Sequence, residues 1–166
     1  MNILINNAGI LGIPDRKLTE DGFEIYFATN YLSHFLLFQL LKPSLLASST
    51  DIFHSRVVAV SSSSQRSCYL SESGNYNFER GNYDPASACA HSKLAGVYMA
   101  NELERRYGHN GLHATSLHPG PISTNISRHV GSGFIADLME SEEVHRIMKS
   151  PEQGAATTII VAIGKK

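Results

Sequence analysis

The chain has 166 residues, with 14 Lys plus Arg against 15 Asp plus Glu and a formal charge of −1. That length suits a single domain, and the balanced charge argues against a surface built for nucleic acid. At 42 % apolar and 17 % charged residues the composition is globular, and two cysteines are too few for a disulfide framework or a four-thiolate zinc site.

The first element is the apolar run Ile3-Leu4-Ile5, which stops at Asn6-Asn7-Ala8-Gly9. Thr19-Glu20-Asp21-Gly22 then opens a helical pattern, and the segment from about Asn30 to Leu46 is apolar almost all round. Such a helix is buried on several sides, in a core or in an oligomer interface. Arg56–Val60 is a second strand and ends at Ser61–Ser64; the polar stretch from Ser61 to Gly81 reads as a loop. Pro85 to Tyr107 is a long helix with Ala88, Leu94, Ala95, Tyr98 and Met99 expected inward and Glu102/Arg106 as an exposed pair one turn apart. Gly108–Gly111 turns the chain into a third strand, Leu112–Leu117, which stops at His118-Pro119-Gly120-Pro121. A last helix starts at Pro151 and runs towards Ile163.

Nearly continuous apolar strands alternating with helices predict an α/β fold on a parallel sheet covered on both faces. No internal repeat is present. No apolar stretch is long enough to span a bilayer, and no basic segment precedes the apolar start, so a soluble cytoplasmic protein is expected.

In an open parallel sheet ligands bind beyond the carboxyl ends of the strands. Here those ends are Asn6–Gly9, Ser61–Ser64 and His118–Thr124, each polar or rich in exposed backbone. Other chemistries find less support. His109, His113 and His118 lack the spacing of a helical zinc motif, so surface histidines and no metal are expected. The serine run lacks the Gly-x-Ser-x-Gly turn of a hydrolase.

The motifs in combination resemble the short-chain dehydrogenase/reductase family, over almost the whole chain. Asn6-Asn7-Ala8-Gly9 is similar to the family's NNAG turn, and Asn30 in Thr29-Asn30-Tyr31-Leu32 to its helix asparagine. Val58-Ala59-Val60-Ser61-Ser62 resembles the strand that delivers a catalytic serine, here Ser62. Ser92-Lys93-Leu94-Ala95 resembles the segment of the catalytic lysine, Lys93, and Pro119-Gly120 with Thr124 the nicotinamide loop. Glu152-Gln153-Gly154-Ala155-Ala156 and the gap between Ser62 and Lys93 resemble retinol-dehydrogenase-like and WW-domain-oxidoreductase-like members and their fungal relatives.

The resemblance implies a Rossmann-like, doubly wound sheet and hydride transfer between NAD(P) and an alcohol or carbonyl. It also implies a cofactor-contacting set of Asn7, Ala8, Gly9, Lys93, Pro119, Gly120, Ile122 and Thr124. In that chemistry a tyrosine exchanges the hydroxyl proton, the lysine lowers its pKa, the serine holds the substrate oxygen and the asparagine positions a water. Two departures stand out. Four residues before Lys93, where the family carries tyrosine, this chain has Cys89, whose sulfur ends about 4 Å short of a phenol oxygen by ordinary bond lengths. A small buried filler is the expectation for Cys89 itself. Further, the βαβ unit with a Gly-rich phosphate-binding turn that opens family members does not precede the first strand here. Residues 1–166 thus read as one partial domain, the second half of a dehydrogenase truncated at its N-terminal side, impaired or inactive as it stands. The alternative is a non-catalytic module that pairs with a complete relative, or with itself, through the helix 30–46 or an exposed strand edge. Gly131-Ser132-Gly133 reads as a hinge beside a substrate-covering segment.

Overall fold

A computed structural model describes residues 1–68, 74–130 and 142–164. Three strands form one parallel sheet in the order β1-β2-β3: β1 (Ile3–Asn6), β2 (Ser55–Val60) and β3 (Leu112–Leu117). Leu4 faces Val57, Asn6 faces Ala59 and Val60 faces Leu117, so the three carboxyl ends lie side by side. This is the α/β architecture on a parallel sheet that the strand–helix alternation predicts, and the partial Rossmann-like form that the family resemblance implies.

Helix begins later than Thr19. Gly22 has a φ of 81° in a turn where Leu18 bridges Glu24, and the Glu24 carboxylate then caps α1 (Ile25–Phe27). A π-helical turn (Ala28–Leu32) joins α1 to α2 (Ser33–Ala47). A 3-10 turn (Ser63–Ser67) interrupts the stretch read as loop. The long helix α3 (Pro85–Tyr107) is capped by Asp84, whose carboxylate accepts from Ala86 N and Ser87 N, with Pro85 in the first turn. After β3 come α4 (Glu142–Ile147) and α5 (Pro151–Ile163), the latter opened by a reciprocal cap between Ser150 and Gln153. The hinge expected at Gly131–Gly133 lies outside the described residues.

The main core joins Leu4, Val57 and Leu112 of the sheet to Phe38 and Leu45 of α2 and Met99, Ala100 and Leu103 of α3. Val58, Leu117 and Ala162 form a smaller cluster on the other face, under α5. Tyr98, expected inward, is 52 % exposed, because only the Met99 side of that turn faces the sheet. α2 is likewise buried on one side only: Phe38 and Leu45 are inside, whereas Leu36 and Leu40 are 59 % and 69 % exposed.

One tie holds α5 to the sheet. Arg56 of β2 donates from a single guanidinium nitrogen to the carbonyls of Val161 (3.2 Å) and Gly164 (2.9 Å), two groups that a helix end leaves without partners. Arg56→Ala is expected to cost about 1.5–3 kcal/mol, the range for hydrogen bonds involving a charged group. Urea unfolding and amide exchange across 159–164 check it; unchanged protection there would contradict this role.

Candidate active site

The site grows from the three strand ends. The π turn projects Asn30 inward, and its side chain is 4 % exposed. Its Oδ1 accepts from Ile10 N at 2.9 Å, while Nδ2 donates to Ser92 Oγ at 3.0 Å and weakly to Ile10 O at 3.4 Å. One amide therefore joins the chain just after Gly9 to α3. π turns of this kind often sit where a side chain must be re-aimed at a functional site.

Lys93 is buried on α3. Its Nζ donates to Val60 O at 3.0 Å, and its own carbonyl accepts from Ser61 Oγ at 2.8 Å, so α3 and the end of β2 are tied twice. A β-carbon on Gly9 would sit 3.4 Å from Lys93 Nζ and 3.3 Å from Asn30 Oδ1, so a side chain there would crowd both. Gly9, Asn30 and Lys93 thus converge, as the motifs imply. Ser62 caps the 3-10 turn, its Oγ accepting from Ser64 N at 3.2 Å.

Burial holds the Lys93 ammonium below the ordinary lysine range, partly offset by Cys89 one turn away. Burial pushes the Cys89 thiol up, with Lys93 opposing it. Both shifts favour neutral groups, as desolvation requires. Because the folded pKa of Lys93 is depressed, the unfolded chain binds the extra proton between that value and the free lysine pKa of about 10.4. Lys93 therefore destabilises the fold at neutral pH, and this penalty fades as pH rises through that window. The stability of wild type relative to Lys93→Met is expected to climb with pH across it in parallel urea titrations. A flat difference would mean that burial does not shift this lysine.

Cys89 is 8 % exposed and packs with Tyr26 and Ala88 against Ile10 and Ile13, the small buried filler expected of it. The neighbouring tyrosines are committed elsewhere. Tyr83 Oη donates to Glu24 Oε1 at 3.0 Å, and Tyr26 Oη pairs with the backbone of Ile13. His91 stacks on Phe78, on another face of α3.

Sequence reading missed what lies behind Lys93. A small cavity there is lined by Asn6, Asn30, His34, Ser92, Lys93 and Gly96. Asn6 is 2 % exposed with both side-chain polar atoms unpaired, which singles it out from the rest of its turn. His34 is pushed below the usual imidazole range by burial and by the Lys93 charge. The sequence signal for both residues was weak, since each lies inside a motif noticed for a different member.

The third strand end forms a loop latched to α5. Gly120 has a φ of 90°, and Lys149 Nζ donates to Pro119 O at 2.8 Å. Backbone pairing of Lys149 with Pro121 and Ser123 continues the latch, and the Ile122 side chain packs against Gly154. Thr124 Oγ1 accepts weakly from Ile126 N at 3.4 Å.

His113 belongs to another cluster. It sits between Glu104 and His54, at 2.9 Å from each, away from His118. No group of three or more metal-binding side chains comes together among the described residues. Nor, among them, is any helix long and apolar enough to cross a membrane.

A parallel sheet whose carboxyl edge gathers a close-approach glycine, a buried lysine and a serine defines a Rossmann-type α/β domain with its site at the strand ends. A family profile described as short chain dehydrogenase matches residues 1–133. The chain belongs to the short-chain dehydrogenase/reductase family. The short-chain dehydrogenase/reductase prx1 of Penicillium roqueforti is 48 % identical over 166 residues, all of this chain and 48 % of that protein. Retinol dehydrogenase 14 of Mus musculus is 39 % identical over 98 % of this chain and 46 % of its own length. The chain therefore spans about half the length of the curated relatives it matches. Among solved structures, the Pseudomonas aeruginosa RhlG/NADP active-site complex superposes with a TM-score of 0.67 at 23 % identity, covering 99 % of this chain and 58 % of that one.

Proposed function

We propose that this chain carries the serine–lysine half of an NAD(P)-dependent oxidoreductase site for an alcohol or carbonyl, with its proton transfer impaired. The observation that carries the reading is Cys89, held one turn before the buried Lys93, where the family places tyrosine. The Gly9 cradle against Asn30 and Lys93 fits a nucleotide cofactor, because it lets backbone approach a ligand where a β-carbon would not. Asn7, Ala8, Gly9, Lys93, Pro119, Gly120 and Thr124 would hold that cofactor, with the Ile122 side chain anchoring their loop. When bound, it supplies or accepts the hydride. Ser62 Oγ orients the substrate oxygen, Lys93 lends positive charge to the same place, and Asn30 keeps the Gly9 turn against α3. The proton has no efficient donor, because general acid catalysis needs one within about 2.6–3.2 Å of the reacting oxygen or a single bridging water.

Calorimetric titration of NADH and NADPH into the folded chain tests the reading, with saturable binding near 1:1 expected. Brisk turnover of a ketone panel that vanishes in Ser62→Ala would overturn the impairment. A second reading, a non-catalytic module, draws on the exposed Leu36 and Leu40 of α2 and on the place of β1 at the edge of the sheet among the described residues. A folded chain giving no heat with either cofactor, but a stoichiometric complex with itself or a complete relative in sedimentation, would favour it. The two unpaired thiols, Cys68 and Cys89, suit a reducing, cytoplasmic setting.

A further inference from the structure

The charges of this protein are unevenly paired. Among the described residues, ion pairs join Glu102 to Arg105 and Arg106, Glu104 to His113, and Glu142 to Arg146. All of these lie on the far half of α3, at the start of β3 or on α4, none at the carboxyl edge of the sheet. That edge instead collects cations that, among the described residues, have no carboxylate partner.

Arg66 is exposed in the last turn of the 3-10 segment that Ser62 caps, and among the described residues it makes no hydrogen bond or ion pair. His118 directly follows β3. The ends of β2 and β3 are neighbours, with Val60 opposite Leu117 and Ser61 N donating to Leu117 O at 2.8 Å, so the two segments leave the sheet together. Lys149 is delivered to the same corner by its 2.8 Å bond to Pro119 O. The His118 imidazole is pushed down by burial and then by the positive charges of Lys149 and Arg66, as expected of cations gathered without an anion. In a chain of net charge −1, such a local surplus attracts anionic ligands rather than reflecting the overall balance.

We infer that Arg66, His118 and Lys149 form a binding corner for an anionic group, and that the substrate facing Ser62 is an oxo acid or hydroxy acid whose carboxylate rests there. The substrate half of this inference rests on the hydride-transfer reading; the anion site does not. Arg66 supplies the forked donor that matches a carboxylate. Lys149, already tied to Pro119, fixes the floor of the corner. His118 reports occupancy, because a nearby anion raises its pKa.

The test follows the His118 imidazole by NMR in the full chain, titrated with 4-oxopentanoate, with neutral 2-pentanone and with inorganic pyrophosphate. Saturable binding of 4-oxopentanoate is expected, with a rise in the His118 pKa that 2-pentanone does not produce. Arg66→Ala, which removes an unbonded exposed side chain, should weaken binding about fivefold, the upper range for an exposed charge pair. Arg66→Lys, which keeps the charge but not the fork, should recover only part of that loss. Equal effects of the neutral ketone, or affinity unchanged in Arg66→Ala, would overturn the site. Arg66-dependent pyrophosphate binding without 4-oxopentanoate binding would assign the corner to cofactor phosphates and overturn the substrate class. If 4-oxopentanoate binds as stated while NADH and NADPH do not, the anion site stands and the hydride-transfer reading falls.

Discussion

Cys89→Tyr is expected to raise turnover of a ketone by reduced nicotinamide cofactor at least a hundredfold, within the roughly 10²–10⁴ that a placed general acid contributes. The position is i−4 to Lys93 on α3, so the new ring rises on the same helical face as the lysine. Its oxygen would reach about 4 Å beyond the present sulfur. Lys93 is already buried beside it and would favour the phenolate over the phenol. The substitution enlarges a packed cluster of Tyr26, Ala88, Ile10 and Ile13, which should cost about 1–3 kcal/mol of stability. Steady-state oxidation of NADPH or NADH with a ketone panel measures the gain, and a thermal transition reads the cost. In the double variant with Lys93→Met the gain should disappear. A Cys89→Tyr protein that folds, binds cofactor and still turns over at the parental rate would show that the phenol is not the missing component.

Asn30→Leu is expected to lower stability by about 1–3 kcal/mol, although leucine fills nearly the same volume. The leucine cannot accept from Ile10 N, which is partly buried, or donate to the buried Ser92 Oγ. Leaving a donor unpaired costs about 1–3 kcal/mol; Ile10 N is that donor, while Ser92 Oγ keeps its 2.6 Å bond to Cys89 O. The loss should be uneven, because Asn30 couples the turn after β1 to α3 rather than stabilising its own helix. Hydrogen exchange at Ile10 should accelerate far more than exchange at Leu45, deep in the main core. Nucleotide binding, where present, should weaken with it, because Gly9 is no longer held against Lys93. Equal destabilisation at both amides, or a change under 0.5 kcal/mol by the additivity margin for uncoupled surface sites, would argue against this coupling.

Much of the fold was legible locally. The β-branched runs at Ile3, Arg56 and Leu112 mark strands to within a residue, because a buried parallel strand needs little beyond apolar continuity and a turn at its end. α3 and α5 start where an Asp-Pro and a Ser-Pro pair set the cap and first turn. The Thr19–Gly22 segment misled because it has the composition of a helix start, yet Gly22 takes a positive φ and Glu24 makes the cap. Tyr98 misled because periodicity locates an apolar stripe without showing how wide the covering neighbour is.

The sequence by itself determined the family and the strand ends and pointed to Ser62, Lys93 and Cys89, since each is carried by a short spacing along the chain. It also placed Cys89 one turn before Lys93, because a four-residue interval on a helix is a geometric statement. Only the tertiary structure decided that Asn30 bridges Ile10 and Ser92, and that Asn6 and His34 line a cavity behind Lys93. It alone brought Arg66, His118 and Lys149 to one corner. These groups are tens of residues apart in the chain, and their meeting depends on parallel register and helix packing, which no local pattern encodes.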